Sequence, residues 1–194
     1  MIELEKIRAI ALEEGQPILR EQSFNILSTL ISIKKPLKIL EIGVNVGCSS
    51  SLMLLKSPNA ILHGIEIDEN LIKKAKENYK SLGVLERAKI FEGDAGEVLP
   101  MLTEKYDFIF LDGPKSHYAE YFETAKDLLN KDGILFADNV LFKGLILSEE
   151  EPPKRYKTIV RGLRSFIKRI KADKSFETVI LDIEDGLSIS VKVE

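Results

Sequence analysis

Five short apolar runs, each handing over to a stretch with helical periodicity, constrain this chain more than any other feature. The runs are residues 37–42, 61–67, 88–92, 108–112 and 133–138, and the helical stretches between them are 49–56, 69–82, 95–104 and 118–130. Strands that alternate with helices pair in parallel through right-handed crossovers, so this pattern predicts an α/β sheet with helices on both faces. In such a sheet, ligands collect at the carboxyl ends of the strands. Two helices, 2–14 and 18–33, are expected before the first strand, separated by Gly15 and Pro17. The last third departs from the alternation. A loop over 141–153 leads to a long helix over 154–171, then to two strands, 176–183 and 187–193, joined by Glu184-Asp185-Gly186. Asp-Gly between two alternating runs marks a hairpin, which adds an antiparallel member at one edge of the sheet.

The first strand ends in Leu40 to Ser50, LEIGVNVGCSS. A glycine-punctuated turn that feeds a helix points free N–H groups at whatever lies over it, and Gly43 and Gly47 let the backbone bend and approach a ligand closely. Ser49 adds a hydroxyl at the helix start. The spacing E-x-G-x-x-x-G lacks the third glycine of the dinucleotide-binding fingerprint, which argues against an NAD-binding oxidoreductase. The second strand ends in Glu66, and a carboxylate at that tip suits a ribose diol. Together, Glu41, Gly43, Gly47 and Glu66 resemble the S-adenosylmethionine site of the class I methyltransferases. That resemblance implies a Rossmann-like, seven-stranded, mostly parallel sheet with one antiparallel strand. It also implies that the glycine turn faces the methionine portion while Glu66 binds ribose.

At 194 residues, 44% apolar and 30% charged, the chain reads as a single domain with a substantial core. Within it, residues 1–35 form the N-terminal helices, 36–140 the cofactor-binding half, and 141–194 the substrate-side helix and hairpin. The start, MIELEKIRAIALEEG, reads as an acidic amphipathic helix rather than a signal peptide, and no apolar run approaches membrane-spanning length. A cytoplasmic protein with no membrane partner is the expectation. Cys48 is the single cysteine, so no internal disulfide forms, and no Cys/His cluster has zinc spacing. Without a nearby histidine, Cys48 reads as a small filler beside the turn.

Chemistry concentrates at the fourth and fifth strand ends. Asp112 closes one, and Asp138-Asn139 close the other. Two carboxylates and an amide carbonyl on adjacent strand tips form an all-oxygen set suited to Mg²⁺ or Mn²⁺. Taken singly, Asp112 also reads as a helix cap and Asp138-Asn139 as a turn.

The motif D-x-x-K-x-x-Y at Asp112, Lys115 and Tyr118, followed by A-D-N-V at 137–140, is similar to the metal-dependent O-methyltransferases, the group of the catechol and caffeoyl-coenzyme A enzymes. The resemblance implies that Asp112, Asp138 and Asn139 hold the metal, with Asp112 and Lys115 catalytic. Lys115 would steer or accept the acceptor's hydroxyl proton. Asp94 and Ala95, after Gly93, would face the adenine, and a homodimer is implied as well. Cys48 stands where many relatives carry tyrosine, Gly113-Pro114 replaces a small or acidic pair, and the N-terminal region is short for the group.

Two features bear on the acceptor. The segments ADNVLFKGLI at 137–146 and DGLSIS at 185–190 resemble the bacterial branch that methylates 5-hydroxyuridine in tRNA. Separately, residues 154–174 carry nine Lys or Arg against one acid, a local charge of +8 that leaves −11 for the rest of the chain. On a helical wheel Ile159, Leu163, Phe166 and Ile170 share one face, and Arg161, Arg164, Lys168 and Lys171 another. The second face is either a solvated surface or a phosphate contact. His117 and Tyr118 stack on a splayed base or pack internally, and His63 reads as structural. These features make 5-hydroxyuridine in tRNA the favoured acceptor, with a small catechol-like phenol as the alternative and a non-catalytic S-adenosylmethionine-binding relative as a further reading.

Overall fold

The structure, a computed structural model, describes residues 1–194. In chain order the elements are α1 (Ile2–Glu13), α2 (Glu21–Lys34), β1 (Lys38–Ile42), α3 (Cys48–Lys56), β2 (Ile61–Glu66), α4 (Glu69–Ser81), β3 (Ala88–Glu92), α5 (Ala95–Val98), β4 (Tyr106–Leu111), α6 (Tyr118–Leu128), β5 (Leu129–Asp138), α7 (Lys157–Ala172), β6 (Phe176–Leu181) and β7 (Leu187–Lys192). The seven strands form one sheet in the order β3-β2-β1-β4-β5-β7-β6. The neighbours from β3 through β5 are parallel, while β7 runs antiparallel to both β5 and β6.

The reversed strand therefore sits one place in from the edge, not at the edge itself. The hairpin's second strand carries Leu187, Ser188 and Ser190, all fully buried, whereas only Phe176 is buried on β6. The strand that can be covered on both faces takes the inner position, and the polar-faced one becomes the edge.

Alternation along each strand supplies two cores. Leu40, Ile42, Ile109, Leu111 and Leu135 face α5, α6 and α7, meeting Phe122, Leu163, Phe166 and Ile170. Ile39, Leu62, Phe108, Phe110 and Phe136 face the other way, onto Leu27 and Ile31 of α2, Leu52 of α3 and Tyr79 of α4. Phe166 is fully buried, with its ring edge-on to Tyr118 and Phe122. Truncating it to alanine costs about 3–5 kcal/mol on general grounds. Gly162 brings α7 down onto the segment after β4, because a Cβ there would lie 2.3 Å from the Ser116 carbonyl oxygen.

Several expected helices are shorter, α6 ending at Leu128 and α7 starting at Lys157. The helix over 95–104 stops at Val98 and tightens into a 3₁₀ turn, Leu99–Met101, where Pro100 removes a donor. α2 begins at Glu21 rather than at residue 18, and the segment before it is non-helical, with Leu19 buried. No helix is long and apolar enough to cross a membrane.

Candidate active site

The carboxyl ends of β1, β2, β4 and β5 open onto a cleft of about 440 Å³ whose wall includes Gly43, Asn45, Glu66, Asp112, Lys115, Asp138 and Asn139. The crossing from β1 to α3 makes its floor. Gly43 has φ +91°, and a Cβ on it would stand 2.6 Å from the Asp112 carbonyl oxygen, so glycine alone lets the first turn nest against the end of β4. Glu41 lies beneath this turn, fully buried, with its carboxyl hydrogen-bonded by the hydroxyls of Ser49 and Ser50. Burial pushes the Glu41 carboxyl up to about 8, against the lowering effect of those two hydroxyls. Glu41 is thus placed under the turn and away from the cleft wall. Gly47 starts α3 in the left-handed region against Tyr79, and Ser49 reaches a small recess beside the main cleft. Cys48 is buried, its thiol pushed up to about 11 by burial, and packs with Ile7 and Ala11 of α1.

Glu66 is positioned almost entirely by backbone. Asn45 N–H donates to its Oε2 at 2.7 Å, while the N–H groups of Ile67 and Asp68 donate to Oε1 at 2.9 and 3.1 Å. Its carboxylate is therefore fixed at the rim. A second recess of about 60 Å³ continues past Glu66, walled by Gly93, Asp94, Ala95, Pro114 and Tyr121. Asp94 also caps α5, accepting from Gly96 N–H at 2.7 Å.

At the β4–β5 ends, Lys115 Nζ lies 2.7 Å from Asp112 Oδ1, each side chain 20% exposed. Burial raises the Asp112 carboxyl, and the neighbouring Lys115 only partly offsets it. Asp138 is pushed up to about 7 by burial first and by the charge of Asp112 second. Asn139, with φ +57°, follows directly and lines the same wall. No three His, Cys, Asp or Glu side chains are arranged to hold a metal ion by themselves, so the oxygen set here is two carboxylates plus an amide. Tyr118 is fully buried, and its hydroxyl lies 3.0 Å from the Leu111 carbonyl and 3.1 Å from that of Asp138, tying the two strand ends together. It is packing, and it does not stack on a base. His117 is exposed and stacks on Tyr121, and His63 is buried against the Tyr106 hydroxyl at 2.9 Å.

The basic helix stands apart, since Arg161, Arg164 and Lys168 do not line the cleft. Arg161 and Lys168 are exposed and make no ion pair, but Arg164 donates to the carbonyls of Leu145 and Ser148 at 3.3 and 2.7 Å. Sequence reasoning missed Asn45, Tyr121 and the Pro17–Arg20 approach, all on the walls of the cleft or its recess. Of these only Asn45 carried a signal, lying between the two glycines of the turn.

A family model described as O-methyltransferase matches residues 3–193. The chain belongs to the O-methyltransferase family. Among its relatives, a catechol O-methyltransferase of Niastella koreensis is 29% identical over 175 residues, covering 85% of this chain and 77% of that protein. Caffeoyl-CoA O-methyltransferase 2 of Petunia hybrida is 31% identical over 186 residues, covering 86% and 73%. Among solved structures, an S-adenosylhomocysteine-bound methyltransferase of Podospora anserina superposes with TM-score 0.85 at 26% identity, covering 99% of this chain and 86% of that one. In fold alone, a Bacillus cereus O-methyltransferase is as similar, with TM-score 0.89 at 24% identity over 99% and 91%.

Proposed function

We propose that this O-methyltransferase moves the methyl group of S-adenosylmethionine to one hydroxyl of a small catechol-like acceptor, with Mg²⁺ or Mn²⁺ as a second cofactor. The observation that carries the reading is one shared wall. Asp112, Asp138 and Asn139 line the same cleft as Glu66 and Gly43, so an oxygen-ligand set and a cofactor cradle open onto one space. The relatives' names supply the acceptor class. Glu66 would take the ribose hydroxyls, the Gly43 turn and Ser49 the methionine portion, and the Asp94–Ala95 recess the adenine.

The donor set fits a hard cation. Burial raises the proton affinity of both carboxylates and the charge of Asp112 raises that of Asp138 further, so a divalent ion held by Asp112, Asp138 and Asn139 would relieve both effects. When bound, the metal polarises an acceptor hydroxyl and lowers its pKa. The chain's own groups do the rest. Transfer is an in-line displacement in which the oxygen–methyl bond forms as the sulfur–methyl bond breaks, so orientation of the oxygen toward the sulfonium dominates the rate. Lys115 Nζ, on that wall beside Asp112, would orient the hydroxyl and, as the neutral amine after losing its own proton to solvent, receive the hydroxyl's proton. The products are S-adenosylhomocysteine and a mono-O-methyl ether.

The test is incubation with labelled S-adenosylmethionine and a catechol panel, with and without EDTA. Label should enter catechols only when metal is present, and label entry indifferent to chelation removes the metal from the reading. A second acceptor, 5-hydroxyuridine in tRNA giving 5-methoxyuridine, is favoured by the exposed Arg161 and Lys168. It predicts methylation of undermodified tRNA that weakens steeply with salt and falls in an Arg161→Gln, Lys168→Gln variant. Catechol turnover should ignore both changes. Assembly as a cytoplasmic homodimer completes the proposal, and light scattering at twice the 21.9 kDa chain mass is the supporting result.

A further inference from the structure

The cleft wall carries two cations, Lys115 and Arg20, and the protein neutralises only one of them. Lys115 is paired with Asp112 at 2.7 Å. Arg20 is exposed on the wall and has no carboxylate within ion-pair distance. The acid whose charge it feels is Glu184, but that carboxylate is committed elsewhere. It accepts the N–H groups of Gln22 and Ser23 at 3.1 Å each, and also the Ser23 hydroxyl, at the start of α2. Arg20 does not serve α2 either, since it stands at the N-cap without a side-chain capping bond. An unengaged guanidinium facing a ligand cleft is a planar fork of donors waiting for an oxyanion.

Its position says which ligand. Glu184 binds the first turn of α2 just beyond Arg20 and lies three residues before Leu187, which pairs with Asp138 in the β5–β7 ladder, so Arg20 stands on the side of the cleft where β5 ends. Arg20 takes no part in lining the recess of Asp94 and Tyr121. The cation therefore faces the space left for the acceptor, beyond the hydroxyl-binding groups.

We propose that Arg20 is a specificity determinant that makes the site select catechol-like acceptors bearing a carboxylate on the side of the ring away from the reacting hydroxyl. This rests on the catechol reading above. The carboxylate would form a charge-assisted pair with the guanidinium, which neither Lys115 nor Glu66 can supply.

The test pairs 3,4-dihydroxybenzoate with its uncharged methyl ester, measuring kcat/KM with S-adenosylmethionine and Mg²⁺, and dissociation constants by calorimetry in the presence of S-adenosylhomocysteine. The wild type should prefer the acid by about tenfold in both readouts, the worth of one charge-assisted hydrogen-bonded contact. Arg20→Gln should erase that preference while leaving the ester and the cofactor affinity unchanged, and Arg20→Lys should keep part of it. Equal handling of acid and ester by the wild type overturns the proposal. So does an Arg20→Gln variant that weakens both acceptors alike, or one that weakens S-adenosylmethionine itself, which would assign Arg20 to the cofactor's own carboxylate. If neither compound is methylated, the catechol reading falls and this inference falls with it. If both are methylated equally, this inference alone fails.

Discussion

The two halves of the cleft are built on opposite principles. Around β1 and β2 the two acids have fixed protein partners: Glu66 takes three backbone N–H groups, and the buried Glu41 carboxyl is met by two serine hydroxyls. At the ends of β4 and β5, Asp112 and Asp138 are placed near each other with Lys115 as their one close cation, and Asp138 is pushed up to about 7. The first half is complete without a ligand. The second keeps two largely buried carboxylates against one lysine, the arrangement that the proposed metal would relieve.

The sharpest way to break this contrast is Asp138→Asn. It should abolish detectable methyl transfer while leaving S-adenosylmethionine binding within twofold. In the metal-free protein it should raise Tm by about 2–4 °C, corresponding to roughly 1 kcal/mol of relieved repulsion for a chain of this length. A lowered Tm in the metal-free variant would mean that the carboxylate supports the fold. Next in size, Lys115→Met should lower kcat by about 10²- to 10⁴-fold with little change in cofactor affinity, the usual worth of a positioned proton acceptor. On the complete half, Glu66→Ala should act the other way round. It weakens S-adenosylmethionine by about tenfold through lost hydrogen bonds, with kcat at saturating cofactor much less affected.

The smallest effect on turnover concerns Glu41, whose part is read on stability. Its folded carboxyl lies near 8 against 4.5 for the ordinary group, so the folded chain binds this proton more tightly than the unfolded chain does. Stability from this residue is therefore present below about pH 4.5 and is lost as pH rises toward 8, the reverse of a salt-bridged acid. Glu41→Gln should flatten the stability profile across that window, as read by denaturant titration at several pH values. An unchanged slope would show that Glu41 is ionised in the folded protein.

The contrast also explains what the sequence made legible. Periodicity located all seven strands, because alternation is a local property and each strand buries one or both faces. It put the reversed strand at the edge because pairing order depends on which hairpin strand can bury small residues such as Ser188 and Ser190, and local pattern carries no such information. The glycine turn and the acids at strand ends were readable because each follows a predicted strand directly. Arg20 and Tyr121 were not, since they reach the cleft or its recess from an N-terminal approach and a helix on the far side of the fold. Charge counting pointed at the basic helix, yet it could not show that Arg164 is taken up by the carbonyls of Leu145 and Ser148.

The central claim is that the β4–β5 rim is a cation site completing a methyl-transfer centre. The direct measurement is the initial rate of methyl transfer to 3,4-dihydroxybenzoate by chelator-treated protein, before and after titration with Mg²⁺, beside calorimetric Mg²⁺ binding to the wild type and to Asp138→Asn. The account predicts no transfer without metal, recovery that tracks the binding isotherm, and neither binding nor recovery in the variant. Undiminished transfer by the chelated wild type would contradict it.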